Sequence, residues 1–236
     1  MTASIPKIIH QIWSDINEPL PEHYMQFAET WKKCHPLWKY EFWDHDRMNA
    51  FIERHYRAFK DTYLSFQYNI QRWDAIRYLI LDKIGGMYVD FDIECLRPLD
   101  NLIQGKTCCF SLEPESHCLH FGMQNLLNNG LMACIPKHPF MKKIIEVVFS
   151  YVPKKNKFSE IERRMEILTT TGPLVVSDTY YKYQEKEQIY LIPAAYVSPL
   201  DMNELALVKR GYENKEFDKK IQNAYAVHYF GSNWWL

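Results

Sequence analysis

Apolar positions along this chain switch between two spacings from the N-terminus onward. "IPKIIHQIW" at residues 5–13 is short, apolar and rich in β-branched residues. It reads as a buried strand with Trp13 at its C-terminal end. "PEHYMQFAETWKKCHP" then reads as a helix that opens near Pro21 and stops before Pro36. "WKYEFWD" predicts a second strand, after which Asp44 caps a helix carrying Met48, Phe51 and Ile52. Strand, helix, strand, helix at this spacing predicts an α/β layered domain. Further along, "TCCFSL", "NNGLMACIP", "IYLIP" and "AYAVHYF" predict strands, and helices are expected after "KHPF" and from Pro173. The charged stretch "PKKNKFSEIERR" reads as a solvated helix or loop. No repeat or low-complexity linker interrupts the chain, so residues 1–236 are expected to form a single domain.

The helix over about 69–84, "NIQRWDAIRYLILDKI", ends on Gly85, which suits the turn after a helix. Ile70, Trp73, Ile80, Leu81 and Ile84 define one apolar stripe at helical spacing. Arg77 lies in the middle of that stripe and Asp74 at its margin. A guanidinium aimed at a core needs an acceptor, and Asp74, three residues away, supplies one. Two readings follow: a structural ion pair, or a pair that also faces a ligand.

Immediately beyond comes "GGMYVDFDIECL" at residues 85–96. Asp90, Asp92 and Glu94 fall on every second residue, with Val89, Phe91 and Ile93 between them. A strand with one face in water would show this pattern. So would a strand end whose acids hold a divalent cation. The abrupt change of composition at Asp90 favours a strand end, where ligands of open α/β sheets bind. Carboxylates completed by water and phosphate are how Mg²⁺ and Mn²⁺ are usually held, and such an ion neutralises a diphosphate leaving group.

Composition narrows the function classes. The chain has 236 residues, 47% hydrophobic and 15% aromatic, enough for a substantial core. A net charge of -1 gives no electrostatic reason to expect nucleic acid as the partner. No apolar run approaches the roughly 20 residues of a transmembrane helix, and no secretion signal is evident. Cys34, Cys95, Cys108, Cys109, Cys118 and Cys134 form no C-x-x-C pair and read as reduced thiols of a cytoplasmic protein. Cys118 has His117 and His120 nearby, but lacks the second ligand pair of a zinc site.

Taken in order, "IPKIIHQIW", "RWDAIRYLILDKIGGMYVDFDIECLRPLD", "NNGLMACIPKHPF", "TGP" and "AVHYFGSNWW" resemble the glycosyltransferases with a sugar-binding D-x-D region, family 32. This family includes capsular-polysaccharide and initiating mannosyltransferase-like enzymes. The resemblance spans residues 5 to 235, and its most specific block runs from Asp74 to Asp92. It implies a GT-A type fold, a nucleotide-diphospho-sugar transferase with a mixed central sheet flanked by helices. Asp92 then corresponds to the direct metal ligand, and Asp90 to the residue meeting the ribose and the metal's water shell. Asp74 and Arg77 resemble the pair that grips the donor sugar. Trp13 resembles the aromatic that stacks on the base, with a plain core tryptophan as the alternative. Asn129 resembles a donor-sugar contact or an ordinary turn. His228, late in the chain before a Ser/Trp tail, resembles a further metal ligand. Ser232 and Trp234 resemble a tail that closes over the diphosphate, or one that rests on a membrane interface.

The resemblance implies a retaining, metal-dependent hexosyltransferase using Mn²⁺ or Mg²⁺. Asp92, Arg77 and Asp74 are its expected catalytic residues. The donor is expected to be a UDP-hexose such as UDP-galactose, ahead of GDP-mannose. The acceptor is a saccharide or lipid-linked saccharide of surface polysaccharide synthesis, met in the cytoplasm or at the inner face of the membrane. Glu113 in "SLEPES" follows a predicted strand and is placed near the acceptor. Three rivals share some of these features. A toxin-like transferase acting on a host protein differs only in its acceptor. A nucleotidyltransferase would carry a Gly-rich basic loop after the first strand, where "SDINEPLPEH" has neither glycine nor base. A binding module would not need Asp92.

Overall fold

The computed structural model describes residues 4–14, 16, 18–152 and 158–231. The chain opens with strand β1 (Ile8–Ile12), helix α1 (Glu22–Cys34) and strand β2 (Lys39–Trp43). The helices α2 (His45–His55), α3 (Lys60–Ser65) and α4 (Asn69–Ile84) lead to β3 (Gly86–Val89) and β4 (Ile93–Cys95). After α5 (Asp100–Ile103) come β5 (Cys108–Leu112), α6 (Glu115–His120) and β6 (Leu127–Cys134). The helices α7 (Pro139–Ser150), α8 (Glu160–Thr170) and α9 (Pro173–Lys182) precede β7 (Tyr190–Ile192). Last are α10 (Ala194–Val197), α11 (Met202–Lys209), α12 (Lys215–Asn223) and β8 (Ala226–His228).

Six strands make the main sheet in the order β2-β1-β3-β6-β5-β7. β6 runs antiparallel to both of its neighbours, and the other pairs are parallel. From β1 the chain steps to β2 through α1, then returns past β1 to β3 through α2–α4. The carboxyl ends of β1 and β3 therefore flank a topological switch point, where a crevice opens in sheets of this kind. The antiparallel β6 starts at that same edge, so Asn128 and Asn129 at its beginning sit beside Asp90 at the end of β3.

Alternation along the strands divides the core between the two sheet faces. Tyr88, Phe110 and Met132 pack with Ile76 and Ile80 of α4 and Phe140 and Ile144 of α7. Met87, Val89, Leu131 and Cys109 pack on the opposite face with Trp31 of α1. The elements read from the sequence are present, and α4 has the expected bounds, with Asp44 accepting from the Arg47 amide as the cap of α2. Two expectations change. α4 is buried almost all round rather than along one stripe, because the sheet, α7 and α8 enclose it. The three acids do not share a strand either. β3 ends at Val89, residues 90–92 turn, and Glu94 lies on β4 in a separate two-stranded sheet with β8. There Glu94 accepts from the Tyr229 hydroxyl at 2.7 Å, so the carboxylate pattern holds two site residues and one structural one.

Two glycines make the turn from α4 into β3. Gly85 and Gly86 have φ of 71° and 104°, and a Cβ on Gly86 would lie 2.6 Å from the Ile8 carbonyl. His10 fixes this junction: its Nε2–H donates to the Gly85 carbonyl (2.9 Å) and its Nδ1 accepts from the Trp43 indole N–H (3.1 Å). Among the described residues, no helix is long and apolar enough to cross a membrane.

Candidate active site

A cleft of about 770 Å³ opens at the switch point, lined by Trp13, Tyr24, Trp73, Arg77, Asp90 and Asp92 among others. That volume suits a ligand of nucleotide-sugar size. Trp13 follows β1 directly and meets Tyr24 and Phe91 edge-on, with ring centroids 5.8 and 6.1 Å away. It is only half-buried, so an aromatic surface is left to the cleft.

Arg77 organises the opposite wall. It projects from the middle of α4 with 5% of its side chain exposed. Nη1 lies 3.2 Å from both carboxylate oxygens of Asp90 and 3.0 Å from the Asn129 carbonyl. Nη2 lies 3.2 Å from Asp74 Oδ1, Nε donates to the Trp73 carbonyl, and the guanidinium rests 4.5 Å from the centre of the Tyr88 ring. Burial opposes its charge, but Asp90, Tyr88 and Asp74 outweigh that and push its pKa up. The ion pair foreseen from the sequence is therefore real, and it is shared with Asp90 at the cleft.

Asp74 and Asn129 sit behind this wall, 4% and 7% exposed, outside the cleft lining. Asp74 accepts from the Asn129 amide (2.9 Å) and the Thr171 hydroxyl (3.0 Å), and Asn129 also reaches the Tyr78 hydroxyl. Their visible work is to hold Arg77. Asp90 accepts from the Tyr88 hydroxyl (2.5 Å) as well as from Arg77, which fixes its rotamer. A Cβ on Gly130 would lie 2.7 Å from Asp90 Oδ2, so the residue there must be glycine for this carboxylate to fit.

Asp92 and His228 form the second half of the site. The β4–β8 ladder pairs Ile93 with His228 and so brings the imidazole to the turn. His228 Nε2 lies 3.4 Å from Asp92 Oδ2. Burial alone would raise Asp92, but His228 and the Gly231 amide, 2.8 Å away, outweigh it and hold the carboxyl low. In the same way burial would lower His228, and Asp92 outweighs it and raises the imidazole. The partner of His228 Nδ1 is the Asn128 amide at 3.1 Å, which also donates to Glu113 Oε1 at 2.5 Å.

One oxygen and one imidazole nitrogen, 3.4 Å apart at a cleft, fit a divalent ion that takes mixed O and N ligands. Asp90 is engaged by Arg77 and Tyr88, and its carboxylate does not complete a group of three ligand atoms within 4.8 Å with Asp92 and His228. Cys108, Cys134 and His138 are the one group of three His, Cys or acidic ligand atoms within 4.8 Å of one another among the described residues. It lies in the core, with the His138 Nδ1 capping α7 through the Phe140 amide and the Cys134 thiol directed at the Ile135 carbonyl. Ser232 and Trp234 lie outside the described residues.

Sequence reading missed the residues that hold the site rather than form its wall. Tyr24 donates to the Gly231 carbonyl (3.0 Å) and ties α1 to the C-terminal segment. Asn128, Gly130 and Thr171 orient the acids. Tyr24 and Thr171 carry no local signal, because Gly231 and Asp74 lie more than 90 positions away, and Asn128 reaches His228 across 100 positions.

The fold is of the GT-A type. The PaToxG glycosyltransferase superposes with a TM-score of 0.56 at 14% identity, over 95% of this chain and 90% of that one. The description "Glycosyltransferase sugar-binding region containing DXD motif" matches residues 21–109. The mannosyl phosphorylinositol ceramide synthase CSH1 of Saccharomyces cerevisiae is 34% identical over 180 residues, 76% of this chain and 43% of that protein. Inositol phosphoceramide mannosyltransferase 1 of Schizosaccharomyces pombe is 31% identical over 198 residues, 80% of this chain and 56% of that protein. The chain belongs to this family, the family-32 glycosyltransferases with the DXD sugar-binding region. It spans about half the length of the curated relatives it matches.

Proposed function

We propose that the chain transfers mannose from a nucleotide-diphosphate sugar to a hydroxyl of a lipid-linked acceptor, with retention and with a divalent ion. The observation that carries this is the meeting, at one cleft, of Arg77 on Asp90, the Asp92–His228 pair and the exposed face of Trp13. The names of the relatives shift the preferred hexose from galactose to mannose, with GDP-mannose as the donor to test first. They also favour an inositol-phosphate lipid over a surface polysaccharide as acceptor.

In this reading Trp13 stacks on the base, which any nucleobase permits. Asp92 and His228 would hold Mn²⁺ or Mg²⁺. The ion, when bound, offsets the charge of the diphosphate and makes it a better leaving group. Arg77, fixed by Asp74, Asn129 and Asp90, presents a preorganised positive charge where negative charge grows on the departing oxygen. The bond from the anomeric carbon to the phosphate oxygen breaks on the face where the acceptor oxygen arrives, so the configuration is kept. The acceptor proton passes to the departing diphosphate. Asp74 and Asn129 are positioning residues here, and Glu113 supports His228 through Asn128.

The test is donor hydrolysis without acceptor, run with GDP-mannose, UDP-galactose and UDP-glucose, with and without Mn²⁺. Mn²⁺-dependent release of mannose is expected. Release of another sugar corrects the donor, and no hydrolysis of any donor overturns the reading.

A further inference from the structure

α11 and α12 form a hairpin reached through α10 from β7, whose carboxyl end lies at the same edge of the sheet as that of β3. Its base is well closed. Leu200, Leu205 and Phe217 form a buried cluster with Ile221 and Tyr229, and Lys220 pairs with Glu204. Its tip is not. Residues 206–213 are all exposed, and they include Leu207 at 40%, Val208 at 38% and Tyr212 at 55%. Lys209 and Arg210 lie among them, and neither has an ion-pair partner within 4 Å among the described residues. Residues 206–213 contain two cations, Lys209 and Arg210, and one acid, Glu213, at the end of the stretch.

The hairpin is also wired to the site. Ser116 of α6 donates to Asp201, the cap of α11, at 2.8 Å. His117 of α6 sits against Glu113 at 2.8 Å, and Glu113 accepts from the Asn128 amide that reaches His228. Leu119 on α6 is 70% exposed, and Met202 at the start of α11 is 49% exposed.

We infer that the α11–α12 tip is the surface through which this protein sits on an anionic phospholipid membrane. Apolar side chains interleaved with unpaired cations suit the boundary between headgroups and acyl chains, where the chains enter and the cations meet phosphate. A second protein would be expected to offer acids to Lys209 and Arg210 one by one, whereas a membrane surface offers them everywhere. The inference rests on the lipid-linked acceptor proposed above, since a cleft held at the bilayer meets a headgroup hydroxyl without extracting the lipid.

Flotation with vesicles tests it. The chain is expected to float with phosphatidylcholine vesicles containing about one third phosphatidylinositol, to be released by added salt, and to stay behind with phosphatidylcholine alone. Lys209→Gln with Arg210→Gln should weaken binding about thirty-fold, as each basic residue near such a surface contributes about fivefold. Leu207→Ser with Val208→Ser should weaken it as well. Both variants should keep the wild-type melting temperature and rate of donor hydrolysis in solution. A wild-type chain that ignores anionic vesicles overturns the inference, as do variants that float like the wild type. It is equally overturned by a concentration-dependent dimer, seen by light scattering, that these substitutions dissolve while vesicle binding persists. Vesicle binding lost in the variants, with no donor hydrolysed by any chain, supports the membrane surface and counts only against the proposed reaction.

Discussion

At the scale of single residues, the charges of the site are set by their neighbours rather than by type. Asp92 is held low by His228 and the Gly231 amide, while Asp90, nearly adjacent, is raised by burial against the pull of Arg77. Asp92→Asn keeps the size and an acceptor for Gly231 but removes the charge. It is expected to cut transfer by at least about a hundredfold and abolish the response to Mn²⁺, with an unchanged circular dichroism spectrum. Full activity in that variant would remove Asp92 from the metal site. His10 yields a prediction about stability. Burial lowers its pKa from 6.5 to about 4, against the help of the Gly85 carbonyl. The unfolded chain takes up a proton as pH falls through about 6.5, and the folded chain does not until about 4. Stability from this group is therefore complete above pH 6.5 and declines toward pH 4, by about 3 kcal/mol across the window. Melting temperatures measured from pH 7 to pH 4.5 should fall more steeply for the wild type than for His10→Gln.

At the scale of elements, the junction between α4 and β3 aims Arg77 and Asp90 at each other. α4 delivers Arg77, and β3 delivers Asp90 thirteen residues later, so the glycine turn between them sets their relative position. Gly86→Ala would place a methyl against the Ile8 carbonyl of β1, a backbone atom that has no room to retreat, at a φ of 104°. Gly105→Ala has a φ of 71° but open space around it. Denaturant unfolding should show about 1 kcal/mol lost for Gly105→Ala and at least about 2–3 kcal/mol more for Gly86→Ala, because only the latter adds a clash to the strained φ. Equal losses would mean that β1 yields at that point.

At the scale of the whole molecule, the site is assembled from the ends of the chain. Trp13 comes from the first strand, Asp90 and Asp92 from the centre, and His228 from the last strand, which is held by α1 through Tyr24 and Gly231. A ligand that bridges these parts binds the folded state alone. A donor at about a hundred times its Kd should raise the melting temperature by roughly 5–10 °C, given about 2.7 kcal/mol of linkage in a chain of this size. The rise should shrink when EDTA is added. A donor that shifts melting equally with and without EDTA would argue against an ion in the site.

The sequence by itself determined the α/β layering, the bounds of α4, the strand ends at Trp13 and Asp90, and the pairing of Arg77 with Asp74. Each of these is written in local periodicity, in caps and in glycines that lie within a few residues of what they control. The block from Asp74 to Asp92 was legible for the same reason, since one helix, one turn and one strand carry it. Only the tertiary structure decided that Glu94 belongs to a second sheet, that Asp74 and Asn129 stand behind Arg77, and that His228 meets Asp92. Those facts depend on a ladder between β4 and β8 and on an antiparallel β6, pairings across more than a hundred and about forty residues respectively. The hydrogen bonds of a strand name no partner, so which strand lies beside which is fixed by packing of the entire core.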